Sequence, residues 1–280
     1  MEQNWDLIVK PKTNIFLLNF KEVWKYKDLI FLLVKRDLVS GYKQTILGPF
    51  WVIAQPLLAT IMFTFTFSRI AGLQTQNIPA FLYYLTGLTF WGFFSDSVTK
   101  NANTFAANSS IFGKVYFPRL VMPFSVMFSN LFKLGIQLVI FICVWIYFIF
   151  TDGSFTIHPK AFLLFPFIII ILGTTGLSFG LIITSMTTKY RDLNFLIAYA
   201  VQFLMYLSCV VFALPDKGLM REILMYNPIV PLIECIKYMF LGVGYLSYYH
   251  LIYSVVFCLL AFFYSVIIFN KTEKTFMDTV

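Results

Sequence analysis

Six long apolar stretches dominate this chain, at residues 49–70, 80–98, 123–150, 161–186, 195–214 and 251–269. A helix rises 1.5 Å per residue, so ~20 apolar residues are needed to cross ~30 Å of hydrocarbon. Each stretch is close to that length, whereas a further apolar run at residues 29–34 is far too short. Only 12% of residues are charged and 59% are hydrophobic, against roughly 25% charged in a soluble domain. Too few charges remain to coat a water-facing surface. The expected fold class is therefore all-α integral membrane, with six transmembrane helices.

Lysine and arginine are unevenly shared between the connections. Lys10, Lys12, Lys21, Lys25, Lys27, Lys35, Arg36 and Lys43 precede the first stretch. Lys100, Lys114 and Arg119 follow the second, Lys189 and Arg191 the fourth, and Lys271 and Lys274 the sixth. Those fifteen fall on one side of an alternating topology, and Arg69, Lys160, Lys217, Arg221 and Lys237 make five on the other. Cytoplasmic loops carry the excess of Lys and Arg, so both termini are expected in the cytoplasm. An even number of spans agrees, and the net charge of +8 is explained by topology rather than by nucleic-acid binding.

Three connections carry more than a turn. In residues 19–36, Phe20, Val23, Trp24, Ile30, Phe31 and Val34 fall near one helical face, and Lys21, Lys25, Asp28 and Lys35 face away. That pattern predicts a basic amphipathic helix lying in the headgroup layer. Gly41 and Gly48-Pro49 then punctuate the turn into the first span. The segment "NSSIFGKVYFPRLVMP", residues 108–123, predicts a short helix capped by Asn108 or Ser109 and ending near Phe117. It is unusually apolar for a solvated loop, so it either returns to the bilayer surface or docks in another protein's groove. Residues 215–250 hold two short apolar helices broken by Asn227-Pro228 and Pro231. They read as a re-entrant hairpin from the outer face, or as two helices on the outer leaflet.

The chemistry of an enzyme is not visible. Gly113-Lys114 lacks the preceding glycine of a P-loop, and neither HExxH nor GxSxG occurs. Cys143, Cys209, Cys235 and Cys258 form no CxxC pair and three sit in apolar runs, where cysteine packs as a small hydrophobe. His158 and His250 are isolated, so no metal site is expected. No cleavable signal peptide is expected, because the first 45 or so residues are mixed polar. Asp96 and Lys133 lie inside spans and are expected to pair across the second and third. Aromatic residues are plentiful instead. Phe195, Tyr199, Phe203 and Tyr206 recur at helical spacing on the fifth stretch, beside Gln202, and the first stretch carries Phe63 and Phe67. Tyrosine faces combine a flat apolar ring with a polar tip. Such a face suits a sugar lining, and lipid-facing or core packing is the plain alternative.

The segments "KRDLVSGYKQTILGPFWVIAQPLL" (35–58), "NSSIFGKVYFPRLVMPFS" (108–125), "YRDL" (190–193) and "NPIVPLIE" (227–234) resemble the permease family of ABC exporters for bacterial surface polysaccharides. The likeness is greatest to the O-antigen lipopolysaccharide exporters and runs over nearly the whole chain. It implies a homodimeric permease in the bacterial inner membrane, working with two copies of a separate ATPase that binds ATP and Mg. No cofactor is implied for this chain itself. Ser109, Ser110, Ile111, Phe112, Gly113, Lys114, Val115 and Tyr116 resemble the coupling helix that docks on the ATPase, and Tyr190, Arg191 and Asp192 a second contact. The first and fifth spans would line a channel, which nominates Phe63, Phe67, Phe195, Tyr199, Phe203 and Tyr206. The implied cargo is a polysaccharide on undecaprenyl diphosphate, and Lys35, Arg36 and Lys43 are placed to recruit that diphosphate by charge-assisted bonds. The implied division is a cytoplasmic segment 1–48 with the interface helix, a six-helix domain 49–269 and a cytoplasmic tail 270–280. Capsule, teichoic-acid or small-molecule efflux permeases share the plan. A lipid-linked sugar transferase would need paired acidic residues facing the membrane surface, and none is evident.

Overall fold

The computed structural model describes residues 20–43, 46, 48–112, 117–152, 158–187, 190 and 192–279. Every regular element among them is helical. Helices α1 (Phe20–Lys25) and α2 (Lys27–Tyr42) come first. A single-turn 3-10 helix (Gly48–Phe50) leads into α3 (Trp51–Phe63), which continues as a π-helix (Thr64–Ile70). Then follow α4 (Ala80–Ala102), α5 (Thr104–Phe112), α6 (Val121–Asp152), a second 3-10 stretch (Pro159–Leu164) and α7 (Phe165–Thr187). The chain continues through α8 (Leu193–Leu207), α9 (Leu219–Met225), α10 (Val230–Leu241) and α11 (Tyr248–Thr279).

Among the described residues, four stretches are long and apolar enough to cross a membrane: Gly48–Ile70, Val121–Thr151, Ala161–Thr187 and Tyr248–Thr272. Helices α9 and α10, bent by 99° at their junction, qualify together as a fifth. The other two expected spans fall on α4 and α8. Helix α4 has 23 residues, about 35 Å at the usual rise, but its Tyr, Thr and Gly residues lower its mean hydropathy. Helix α8 is apolar but has only 15 residues, about 22 Å.

Helix α4 is the centre of the bundle. Its Tyr83, Tyr84, Phe90 and Phe94 are among the largest fully buried side chains, and it packs on α3, α6, α7 and α10. The α4–α7 contact is set by small residues on α7. A Cβ on Gly176 would stand 2.7 Å from the Ser97 Cβ, and one on Gly180 would collide with the Asn101 Cβ. Glycine at these positions lets the two backbones approach, the usual device where hydrocarbon offers helices no hydrophobic drive to associate.

The ends of the bundle are closed differently. At one end Phe105 stacks on Phe269 at 4.8 Å, and Phe117, Leu120, Val121, Leu177, Leu181 and the N-terminal Val23 and Leu33 pack around them. At the other, Phe240 of α10 sits in an aromatic socket of Phe90, Phe141, Trp145, Phe162 and Phe165, with centroids 4.9–6.2 Å away.

The N-terminal helix departs from the sequence expectation. It breaks at Tyr26 and continues to Tyr42. Its apolar residues also divide between two faces. Val23, Ile30 and Leu33 pack inward, whereas Trp24 and Phe31 are 70% and 72% exposed beside Leu32 and Val39. At 100° per residue, Trp24 and Phe31 share a stripe that Val23 and Leu33 do not. The helix therefore holds the bundle with one face and leaves Trp24 and Phe31 exposed on another.

Candidate functional site

Helix α8 rests on the bundle along a narrow ridge, Ile197, Val201 and Met205, spaced i, i+4, i+8 and all buried. The ring-bearing residues fall elsewhere on the same helix. Phe195, Tyr199 and Phe203 are 79%, 76% and 64% exposed. They form a continuous aromatic stripe with Gln202 beside it. Tyr206 turns inward and meets Phe212 at 6.1 Å. Phe212 in turn meets Phe67, which contacts Phe63 and Tyr84. The structure thus divides the six nominated lining aromatics. Three form the open stripe on α8, and three join a half-buried row that runs from α3 and its π-helical end across α4 to the segment after α8.

That π-helix supplies the geometry of the row. The Ala71 amide donates to Thr66 O, five residues back, so the turn is wider than an α-turn and re-aims the side chains. Such insertions concentrate at functional sites.

Helix α8 stops too early to span, and its unpaired carbonyls would be costly in hydrocarbon. Cys209, with φ +53°, turns the chain into an irregular buried segment, 208–211. The α9–α10 unit caps it. Asn227 Nδ2 donates to Leu207 O and Ser208 Oγ at 3.2 and 3.0 Å. Lys237 of α10 donates to Cys209 O, to Phe212 O at 3.4 Å, to the Tyr83 hydroxyl at 2.8 Å and to Glu234 Oε1 at 3.0 Å. Glu234 and Lys237 are 2% and 1% exposed. A cation at a helix C-terminus also complements the helix dipole. Sequence reasoning counted Lys237 as an outer-loop charge and passed over Glu234. The available signal was their i, i+3 spacing within an otherwise apolar helix.

A second charged group lies on α4 and α6. Lys133 Nζ and Asp96 Oδ2 are 2.8 Å apart, the pairing expected from sequence. Lys100 joins them, 3.6 Å from Asp96 and donating to Asn130 Oδ1 at 2.7 Å. This group is partly open, with side chains 19–48% exposed.

At the same end stand the nominated diphosphate and coupling residues. Lys35 and Lys43 are exposed. Arg36 is occupied: it holds Asp37 Oδ1 through Nε and Nη2 and reaches Asn108 Oδ1 at 3.3 Å. It therefore ties α2 to α5. Helix α5 is kinked at Asn108, which sets residues 109–112 apart as a distinct turn, and the Asn108 side chain donates back to Thr104 O at 3.0 Å. Ser109, Ser110, Ile111 and Phe112 lie in that turn, while Gly113, Lys114, Val115, Tyr116 and Arg191 fall outside the described residues. Tyr190 and Asp192 are exposed just before α8.

Phe195, Tyr199 and Phe203 thus form an exposed aromatic stripe on a short apolar helix whose C-terminal end is held by the bent α9–α10 pair. The chain belongs to the ABC-2 type transporter family, whose model matches residues 28–241. It is 29% identical over 256 residues to an O-antigen export system permease protein, RfbA, of Klebsiella pneumoniae, covering 90% of this chain and 94% of the relative. A second such protein from Klebsiella pneumoniae is 28% identical with the same coverage. A Myxococcus xanthus protein of the same name is 27% identical over 79% of this chain and 83% of its own length.

Proposed function

We propose that this chain is the permease subunit of an ATP-driven exporter that moves O-antigen polysaccharide, linked to undecaprenyl diphosphate, from cytoplasm to periplasm across the inner membrane. The observation that carries the reading is the likeness, over nearly the full length, to proteins named as O-antigen export permeases. The exposed Phe195–Tyr199–Phe203 stripe supports it, because ring faces stack on sugar C–H faces and tyrosine hydroxyls bond sugar hydroxyls.

In this reading α3, α4, α6, α7, α8 and α11 are six spans, and α9–α10 is a re-entrant pair at the periplasmic mouth. Residues 1–48 form the cytoplasmic segment with the interface helix, and 270–280 the cytoplasmic tail. Two copies pair so that α3 and α8 line a shared channel. Helix α5 and residues 190–192 transmit motion from two partner ATPases, which hold ATP and Mg; this chain is not itself an enzyme. Lys35 and Lys43 meet the lipid diphosphate at the cytoplasmic surface. Arg36 contributes once it exchanges Asp37 for phosphate.

The test is complementation. Deleting the gene should abolish surface polysaccharide and leave lipid-linked glycan inside the cell, and the wild-type chain should restore export. Normal surface glycan in the deletion strain would overturn the reading.

A further inference from the structure

Between α9 and the first turns of α11 lies a cavity of about 340 Å³, at the small end of the range for ligand sites. Arg221, Glu222 and Tyr226 line it from α9 and its C-terminal turn, and Tyr249, His250 and Tyr253 from α11, with Met225 as its buried floor. None of these residues belongs to the stripe on α8 or to the Lys237 cage.

The walls are held in place. Tyr253 donates its hydroxyl to Tyr226 O at 2.8 Å. His250 Nδ1 is 3.0 Å from Ser247 Oγ. Arg221 lies 4.3 Å over the Tyr245 ring, and its Nη1 is bonded to the carbonyls of Pro215 and Asp216. The contact groups themselves remain available. The Tyr226 and Tyr249 rings are 74% and 78% exposed, and Glu222 makes no ion pair among the described residues.

The chemistry of this lining selects among ligands. One guanidinium and one carboxylate leave no net charge, so a phosphate headgroup attracted by Arg221 would be repelled by Glu222. A purely apolar ligand would leave the polar groups of Arg221, Glu222 and His250 unused. A sugar satisfies both, since it offers donors, acceptors and an apolar face together. Its C–H face can lie on Tyr226 or Tyr249, while its hydroxyls donate to Glu222 and accept from Arg221.

We propose that this cavity is a saccharide-binding subsite for a short neutral stretch of glycan. The inference rests on the exporter reading: the cavity lies at the α9–α10 end, where the polymer would emerge, and a hold there would oppose its slipping back.

Saturation-transfer NMR on the full-length chain in detergent tests it, with isomaltohexaose, mannohexaose and chitohexaose as probes. At least one probe should bind. Its Kd should weaken at least tenfold in the Tyr226→Ala/Tyr249→Ala double variant and less than threefold in Tyr249→Phe. Both rings are exposed, so the fold should survive, as circular dichroism will report. Undiminished binding in the double variant, or no binding of any probe, overturns the subsite. Displacement of the probe by dioleoylphosphatidylglycerol also overturns it, in favour of a lipid headgroup. The exporter reading is scored separately by whether wild-type chain restores surface glycan in deletion cells, and it stands or falls on that whatever the binding result.

Discussion

Lys237 and Lys133 are both lysines in apolar helices, yet their surroundings set them apart. Lys237 is sealed, and its ammonium is shared among a carboxylate, a phenol and two backbone carbonyls drawn from three segments. Lys133 shares Asp96 with Lys100 at an edge that remains partly open. A sealed cation cannot change partners without stranding charge in a low-dielectric interior, whereas an open one can. The first arrangement therefore suits a fixed joint between α4, α8 and α10. The second suits a contact that rearranges, at the end of the bundle where α2 and α5 meet.

The largest effect should come from breaking the sealed site. Lys237→Met leaves Glu234 buried and unpaired, which costs about 3–5 kcal/mol and should appear as a large drop in thermal stability in detergent. Lys237→Met/Glu234→Leu should recover much of that loss. A single variant as stable as wild type would remove the distinction between the two lysines. Next in size is Gly180→Leu. Its side chain must enter the space held by Asn101 on α4, at about 1–3 kcal/mol for overpacking. Asp96→Asn should cost only about 1 kcal/mol, because partly exposed pairs are weak, and its loss should shrink further in high salt. Tyr199→Ala should leave stability within about 0.5 kcal/mol, as for an exposed side chain. If the stripe on α8 contacts cargo, surface glycan should nevertheless fall severalfold in cells carrying that variant.

What the sequence revealed follows from these surroundings. Long apolar runs were legible because hydrocarbon demands length, and Asp96 and Lys133 stood out as charges inside such runs. Glu234 and Lys237 did not, because they sit on a 12-residue helix too short to be read as a span, where a charge looks solvated. The early end of α8 was also hidden: the chain turns at Cys209, with neither glycine nor proline to announce it. Gly176 and Gly180 drew no notice in the sequence, because only their contact with Ser97 and Asn101 shows that they admit α4. The two-faced N-terminal helix was misread because Trp24 sits next to Val23, and adjacent residues differ by 100° in direction. The aromatic spacing on α8 was plain, whereas the ring contact of Tyr206 with Phe212 depended on the turn at Cys209.

In the proposed exporter, this chain forms a path for lipid-linked glycan and draws its energy from another protein. Co-purified chain and ATPase, reconstituted into vesicles with undecaprenyl-diphosphate-linked glycan, test it most directly by a lectin or enzyme readout of glycan reaching the opposite face. Movement that requires both ATP and the ATPase is the expected result. Movement by the chain alone without nucleotide, or none when both are supplied, would contradict it.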